Sequence, residues 1–187
     1  GPRLVDFHPH RPWMYMSIER QDEIALFRLG ETVTGPFFRK SALARPQDKK
    51  PRQLVGAIHL HPSGQFAYVS NRADGTVMHD GVEVFNGGEN SIAVYAIDAS
   101  TGDPGLVQIE DTRGMHARTF QVTPDGHLLI AANMTARKVL DGTAVREVPA
   151  CLSVFRLGGD GRLAFAGKVD VEVGGEVMFW SGLVSLP

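Results

Sequence analysis

The stretch "GAIHLHPSGQFAYVSNRADG", Gly56–Gly75, decides the fold. An apolar run leads into His61-Pro62, a Ser-Gly turn follows, and a second alternating run, "QFAYVSN" (65–71), ends at Arg72. Period-2 alternation bounded by turn residues marks two half-buried strands joined by a hairpin. The same order occurs earlier, in "LVDFHPHRPWMYMSIERQDEIALFRL" (4–29), and later, in "ARTFQVTPDGHLLIAANMTARK" (117–138). Pro9, Pro62 and Pro124 mark the three hairpins. Third strands follow at "SIAVYAI" (91–97) and "CLSVFRL" (151–157), and the middle unit adds a fourth after its Thr-Gly turn.

With 21 glycines and 11 prolines as punctuation, this is an all-β chain. Repeated four-stranded antiparallel units are how a β-propeller is written in sequence. The expected units are about 1–50, 51–115 and 116–172, with a closing strand in the terminal segment 173–187, chiefly "GEVMFWSGLVSLP" (175–187). The period exceeds the usual blade length of about 40–45 residues. Two insertions account for the excess, "TVMHDGVEVFNGGE" (76–89) and "VLDGTAVREVPA" (139–150), each between the second and third strands of its unit. About three blades cannot close a ring, and each outer face would expose apolar surface. The expectation is a partial ring completed by a missing half or a second chain. The opening "GPRLVDFHP" already lies inside a repeat unit, so it is not expected to be the natural start of the fold.

The 187 residues carry a formal net charge of −2, and no Lys/Arg stripe with interleaved aromatics suggests a nucleic-acid surface. "RPQDKKPRQ" (45–53) reads as a solvated loop. No apolar run approaches the roughly 20 residues that a membrane-spanning helix needs. One cysteine, Cys151, excludes an intrachain disulfide and a cysteine-based zinc site, and its apolar surroundings suggest a buried, inert thiol. No His/Asp/Glu spacing argues for a metal, and no cofactor is expected.

The ordered set "GPR…FHP…Y…E", "IHLHPSGQFAYVSNR…NSIAVYAID…TG" and "ARTFQVTPDGHLLIAAN…LSVFRL" resembles the seven-bladed lactonase family. That family contains the cycloisomerase-type 6-phosphogluconolactonases and the fungal carboxy-muconate cyclases. The resemblance implies a ring of seven blades, of which this chain matches roughly the C-terminal half, with a polar cleft at the axis. It implies a cytoplasmic enzyme opening a small anionic or sugar-derived lactone. Its arginine after Gly-Pro matches Arg3, its strand-end acid Glu19, and the arginine of "SNR" Arg72. The family's histidine from an earlier blade has no counterpart in this chain.

Those residue types suit the chemistry. Lactone opening needs a base for water and charge compensation for the developing oxyanion. Two guanidiniums can anchor anionic oxygens while a carboxylate between them moves a proton. His59 and Arg118 are expected to contact substrate; Arg118 repeats the pre-strand position of Arg3 one unit later. Other readings stay open at this point. Arg72 could instead pair with Asp74 on the surface, Arg118 could form a blade-to-blade salt bridge, His59 could be a hydrogen-bonded core group, and His116, beside Arg118, is ambiguous. His8 and His61, each before a proline, read as structural repeat residues, and Asn71 and Asn133 as satisfying backbone groups. Two other functions compete: lactonisation or isomerisation of a dicarboxylate, and a non-catalytic propeller serving as a binding platform.

Overall fold

The computed structural model describes residues 1–184. The first sheet holds β1 (Pro2–Phe7), β2 (Trp13–Ile18), β3 (Glu23–Arg28) and β4 (Thr34–Ser41), paired antiparallel in that order. The second is built from β5 (Val55–Leu60), β6 (Phe66–Arg72), β9 (Asn90–Ile97) and β10 (Pro104–Asp111). The third is built from β11 (Ala117–Val122), β12 (Leu128–Asn133), β15 (Cys151–Leu157) and β16 (Leu163–Asp170). Both insertions form separate hairpins, β7 (Thr76–His79) with β8 (Val82–Phe85) and β13 (Arg137–Asp141) with β14 (Ala144–Val148).

The strand alternation puts an apolar row on both faces of the middle sheet, and each row makes a core with one neighbour. Trp13, Tyr15, Ile24 and Leu26 of the first sheet pack on Val55, Ile58, Val69, Ala93 and Tyr95 of the second. Ala57, Tyr68, Ile92 and Val94 on the opposite face pack on Phe120, Leu129, Ala131 and Phe155 of the third. The first strands β1, β5 and β11 contact one another in turn and form the inner edge of a fan.

Repeated side chains stitch one sheet to the next. Tyr15 donates its hydroxyl to the Gly102 carbonyl in the β9–β10 turn, and Tyr68, at the same repeat position, donates to Gly161 in the β15–β16 turn. The His8 ring lies against Gly64, and His61 against Gly126, whose carbonyl is 3.1 Å from His61 Nε2. A Cβ on either glycine would run into the imidazole. Asn71 Nδ2 donates to the Ala42 carbonyl, and Asn133 Nδ2 to that of Thr112, each tying a β-strand end to the segment entering from the previous sheet. His8, His61, Asn71 and Asn133 thus make the structural contacts expected of them.

Two details depart from the sequence reading. The first unit has a fourth strand, β4, at "TGPFFRKS"; it is an exposed edge strand, so it shows no alternating burial to betray it. The closing strand expected over 175–187 is not a strand in its described part. Gly174 and Gly175, both at positive φ, turn the chain away from β16, and residues 176–184 run without a ladder partner. Their hydrogen bonds to the sheets and loops are single ones, Met178 N–H to the Met134 carbonyl and Ser181 Oγ to Thr119 Oγ1 at 2.8 Å. Residues 185–187 of that expected strand lie outside the described residues. Cys151 is buried, as anticipated. Among the described residues no helix is long and apolar enough to cross a membrane.

Candidate active site

The three inner strands share an irregularity. Register shifts fall between Pro2 and Leu4 in β1, between Val55 and Ile58 in β5, and between Ala117 and Thr119 in β11. A bulge re-aims the side chain it carries, and these bulges carry or adjoin Arg3, Gly56 and Arg118. The three residues occupy one repeat position, six before Pro9, Pro62 and Pro124 respectively. Two arginines therefore flank a glycine along the inner edge.

That glycine makes room for Arg72. A Cβ on Gly56 would lie 3.2 Å from Arg72 Cδ and 3.3 Å from the Ala117 carbonyl, and would also meet Ser70 Oγ. The Arg72 stem crosses this space, and the residue is 4% exposed. Its Nε donates to the Val55 carbonyl at 3.3 Å, NH1 lies 2.8 Å from His116 Nε2, and NH2 donates to Glu19 Oε1. Glu19 opens a short 3-10 turn (Glu19–Gln21) immediately after β2, with its N–H on the Gly1 carbonyl. Arg3 NH1 reaches the same Glu19 oxygen at 3.4 Å.

The fold therefore brings Arg3, Glu19 and Arg72 together. Both guanidiniums take Glu19 Oε1, and Oε2 has no partner among the described residues. The alternative of a surface Arg72 paired with Asp74 does not hold. Asp74 instead receives two hydrogen bonds from Arg52, at 2.6 and 2.7 Å, and faces His116 Nδ1 at 3.4 Å.

The site is rich in cations. Burial, then the nearby Arg3, lowers the Arg72 guanidinium to about 10 despite Glu19. Burial and Arg118 lower Arg3 as well. His116 is lowered to about 4 by burial and by Arg72, with Asp74 acting in the opposite direction, so its imidazole is neutral near pH 7. For Asp74 burial acts upward, but the Arg52 hydrogen bonds and His116 outweigh it and hold the carboxyl below its usual range.

Arg118 joins this group through its charge rather than through a described contact with Glu19. It has no carboxylate partner among the described residues, and its guanidinium lies 4.1 Å from the centre of the Phe179 ring. His59 sits apart. Its Nδ1 is 3.7 Å from Asp6 and its ring meets Phe120 edge-on at 5.0 Å, farther along β5. No described contact joins it to Glu19 or Arg72. Among the described residues no cluster of His, Cys, Asp and Glu could hold a metal. A groove of about 460 Å³ lined by Leu43, Arg45, Lys49, Gln53 and Glu89 is a separate feature.

A family model described as "Lactonase, 7-bladed beta-propeller" matches residues 1–140. Among curated relatives, the 6-phosphogluconolactonase of Bacillus subtilis (strain 168) is 29% identical over 134 residues, covering 71% of this chain and 34% of that protein. The 6-phosphogluconolactonase of Formosa agariphila is 27% identical over 140 residues, covering 75% and 35%. The chain thus spans about a third of the length of these relatives. Two solved structures share the fold. A Lactobacillus plantarum protein superimposes with a TM-score of 0.70 at 24% identity, over 95% of this chain and 43% of its own. The periplasmic gluconolactonase of Pseudomonas aeruginosa does so with 0.69 at 22%, over 95% and 41%.

Proposed function

Because the chain belongs to the seven-bladed β-propeller lactonase family, we propose that it supplies the Arg3–Glu19–Arg72 face of a lactone-hydrolysing site, on a sugar-derived lactone such as 6-phosphogluconolactone. Further blades, on the same or a second chain, complete the ring in this reading. One observation carries it: Glu19 spends one oxygen on two guanidiniums and keeps the other unpartnered among the described residues. That second oxygen is the acceptor for a proton of the attacking water. As the water oxygen bonds to the lactone carbonyl carbon, its proton passes to Glu19 and negative charge gathers on the former carbonyl oxygen. A guanidinium facing that oxygen stabilises the charge, and water exclusion strengthens the effect. Collapse breaks the ring C–O bond, the leaving oxygen takes up the proton, and a hydroxy acid departs.

Arg118 and the unpaired part of Arg3 suit a phosphate or carboxylate on the substrate, with His59 lining the cleft farther along β5. The convergence of Arg3 with Glu19 supports catalysis over a passive binding platform. A doubly charged sugar phosphate does not leave through a membrane unaided, so a cytoplasmic setting goes with this substrate. The test is acid release by the full-length protein from 6-phosphogluconolactone and from glucono-δ-lactone, above the uncatalysed rate. Glu19→Gln should lower kcat about 100- to 1,000-fold, and Arg72→Ala should abolish turnover. Wild-type activity in either variant would remove that residue from the mechanism. Turnover of a muconate-type dicarboxylate in place of both lactones would replace the reaction.

A further inference from the structure

We propose that His116 is a positioning residue, an imidazole whose Nε2 lone pair fixes the Arg72 guanidinium so that its NH2 stays on Glu19. The role rests on the lactonase reading above for its consequence, but its geometry stands alone. Arginine only donates hydrogen bonds. Its NH1, 2.8 Å from His116 Nε2, therefore requires a lone pair there, and the ring proton must sit on Nδ1. Nδ1 faces Asp74 Oδ2 at 3.4 Å, and Asp74 is itself gripped by Arg52. Donors and acceptors alternate along Arg52, Asp74, His116, Arg72 and Glu19, the His116–Asp74 approach of 3.4 Å being an electrostatic contact and the others hydrogen bonds.

The backbone supplies an independent sign. His116 lies just before β11 at φ 59, in the left-handed region that few non-glycine residues occupy. Such a conformation persists where the surroundings over-determine it. Here the His116 N–H donates to Asn90 Oδ1 at 2.8 Å, and its carbonyl accepts from Met134 at 3.2 Å. A buried ring is thus held in a strained pose by four separate partners, counting Arg72 and Asp74.

The charged groups around the ring agree with a neutral acceptor. Arg72 from β6, Arg118 from β11 and Arg137 from β13 face it with positive charge, and Asp74, in the β6–β7 connection, is the one acid among those groups. Without the lone pair, NH1 would be buried unpaired, and repulsion from Arg3 and Arg118 would be free to swing Arg72 off Glu19.

The experiment combines nitrogen NMR of the imidazoles with kinetics, on the full-length protein. In the wild type, the His116 resonances should show the Nδ1–H tautomer and begin to titrate only below pH 5. His116→Phe should lower kcat on 6-phosphogluconolactone at least ten-fold, with a smaller change in KM. His116→Gln, whose amide oxygen can accept from NH1 while its NH2 faces Asp74, should recover most of that loss. If the Phe variant does not fold, Asp74→Asn serves instead: its amide can donate to Nδ1, move the ring proton to Nε2 and produce a similar loss. Should the wild type open no lactone, the lactonase reading fails, and calorimetric binding of 6-phosphogluconate then carries the test, with Phe weakening it ten-fold and Gln not. An Nε2–H tautomer, titration near 6.5, or equal activity and binding in the Phe and Gln variants would overturn the positioning role.

Discussion

Gly56→Ala places a single methyl group where the Arg72 stem now passes. The added Cβ would meet Ser70 Oγ, lie 3.2 Å from Arg72 Cδ and 3.3 Å from the Ala117 carbonyl. Ser70 can rotate, and its hydroxyl has no hydrogen-bond partner to lose. The Ala117 carbonyl belongs to the start of β11 and has little freedom, so the arginine must yield. Overpacking of this kind costs about 1–3 kcal/mol, and the lost flexibility of a strand glycine returns about 0.5–1 kcal/mol. The net expectation is about 1–2 kcal/mol of destabilisation, read from urea unfolding of the full-length protein. Turnover should suffer more, because a displacement of about 1 Å in a positioned group can cost about 100-fold. The double variant Gly56→Ala/Ser70→Ala separates the two effects: it should regain part of the stability and little of the turnover. Full recovery of kcat/KM in the double variant would refute the claim that the methyl acts through Arg72.

Two further outcomes follow from the same geometry. His116 binds its proton more weakly in the folded protein than in the unfolded chain, so stability should rise with pH between about 4 and 6.5 and be lost on acidification through that window. The span corresponds to at most about 3 kcal/mol, and the slope of unfolding free energy against pH in that window should flatten in His116→Gln. Tyr68→Phe removes the buried hydroxyl bond to Gly161 and should cost about 1 kcal/mol without altering KM; a KM shift would mean that the sheet junction reaches the site.

The fold was legible because the Pro9, Pro62 and Pro124 hairpins repeat a strong alternation, and alternation is what half-buried strands demand. It failed where burial does not alternate, as in the exposed β4, and where apolar aromatics mimic a strand, as in Val177–Trp180. The site was partly legible for a related reason. Glu19 and Arg72 stand ten residues after Pro9 and Pro62, so adjacent sheets bring the same repeat position together. Arg3 and Arg118 obey the same rule six residues before their prolines. His116 and Asp74 lie in connecting segments outside the strands, where no repeat position predicts a neighbour. Folding is what brings His116 between Arg72 and Asp74.

The tyrosine bonds between sheets all point one way, each from a second strand to the last turn of the sheet that follows. The third sheet breaks the series, with Ile130 where Tyr15 and Tyr68 stand, and Thr123 where His8 and His61 stand. A hydrogen bond dictates register, whereas apolar contact is non-directional. The first two junctions are therefore keyed, and the face beyond the third sheet is smooth at those positions. The Arg3–Glu19–Arg72 cluster draws all its residues from the two sheets that the Tyr15 bond keys together, so the register that builds the site is fixed by a directional contact.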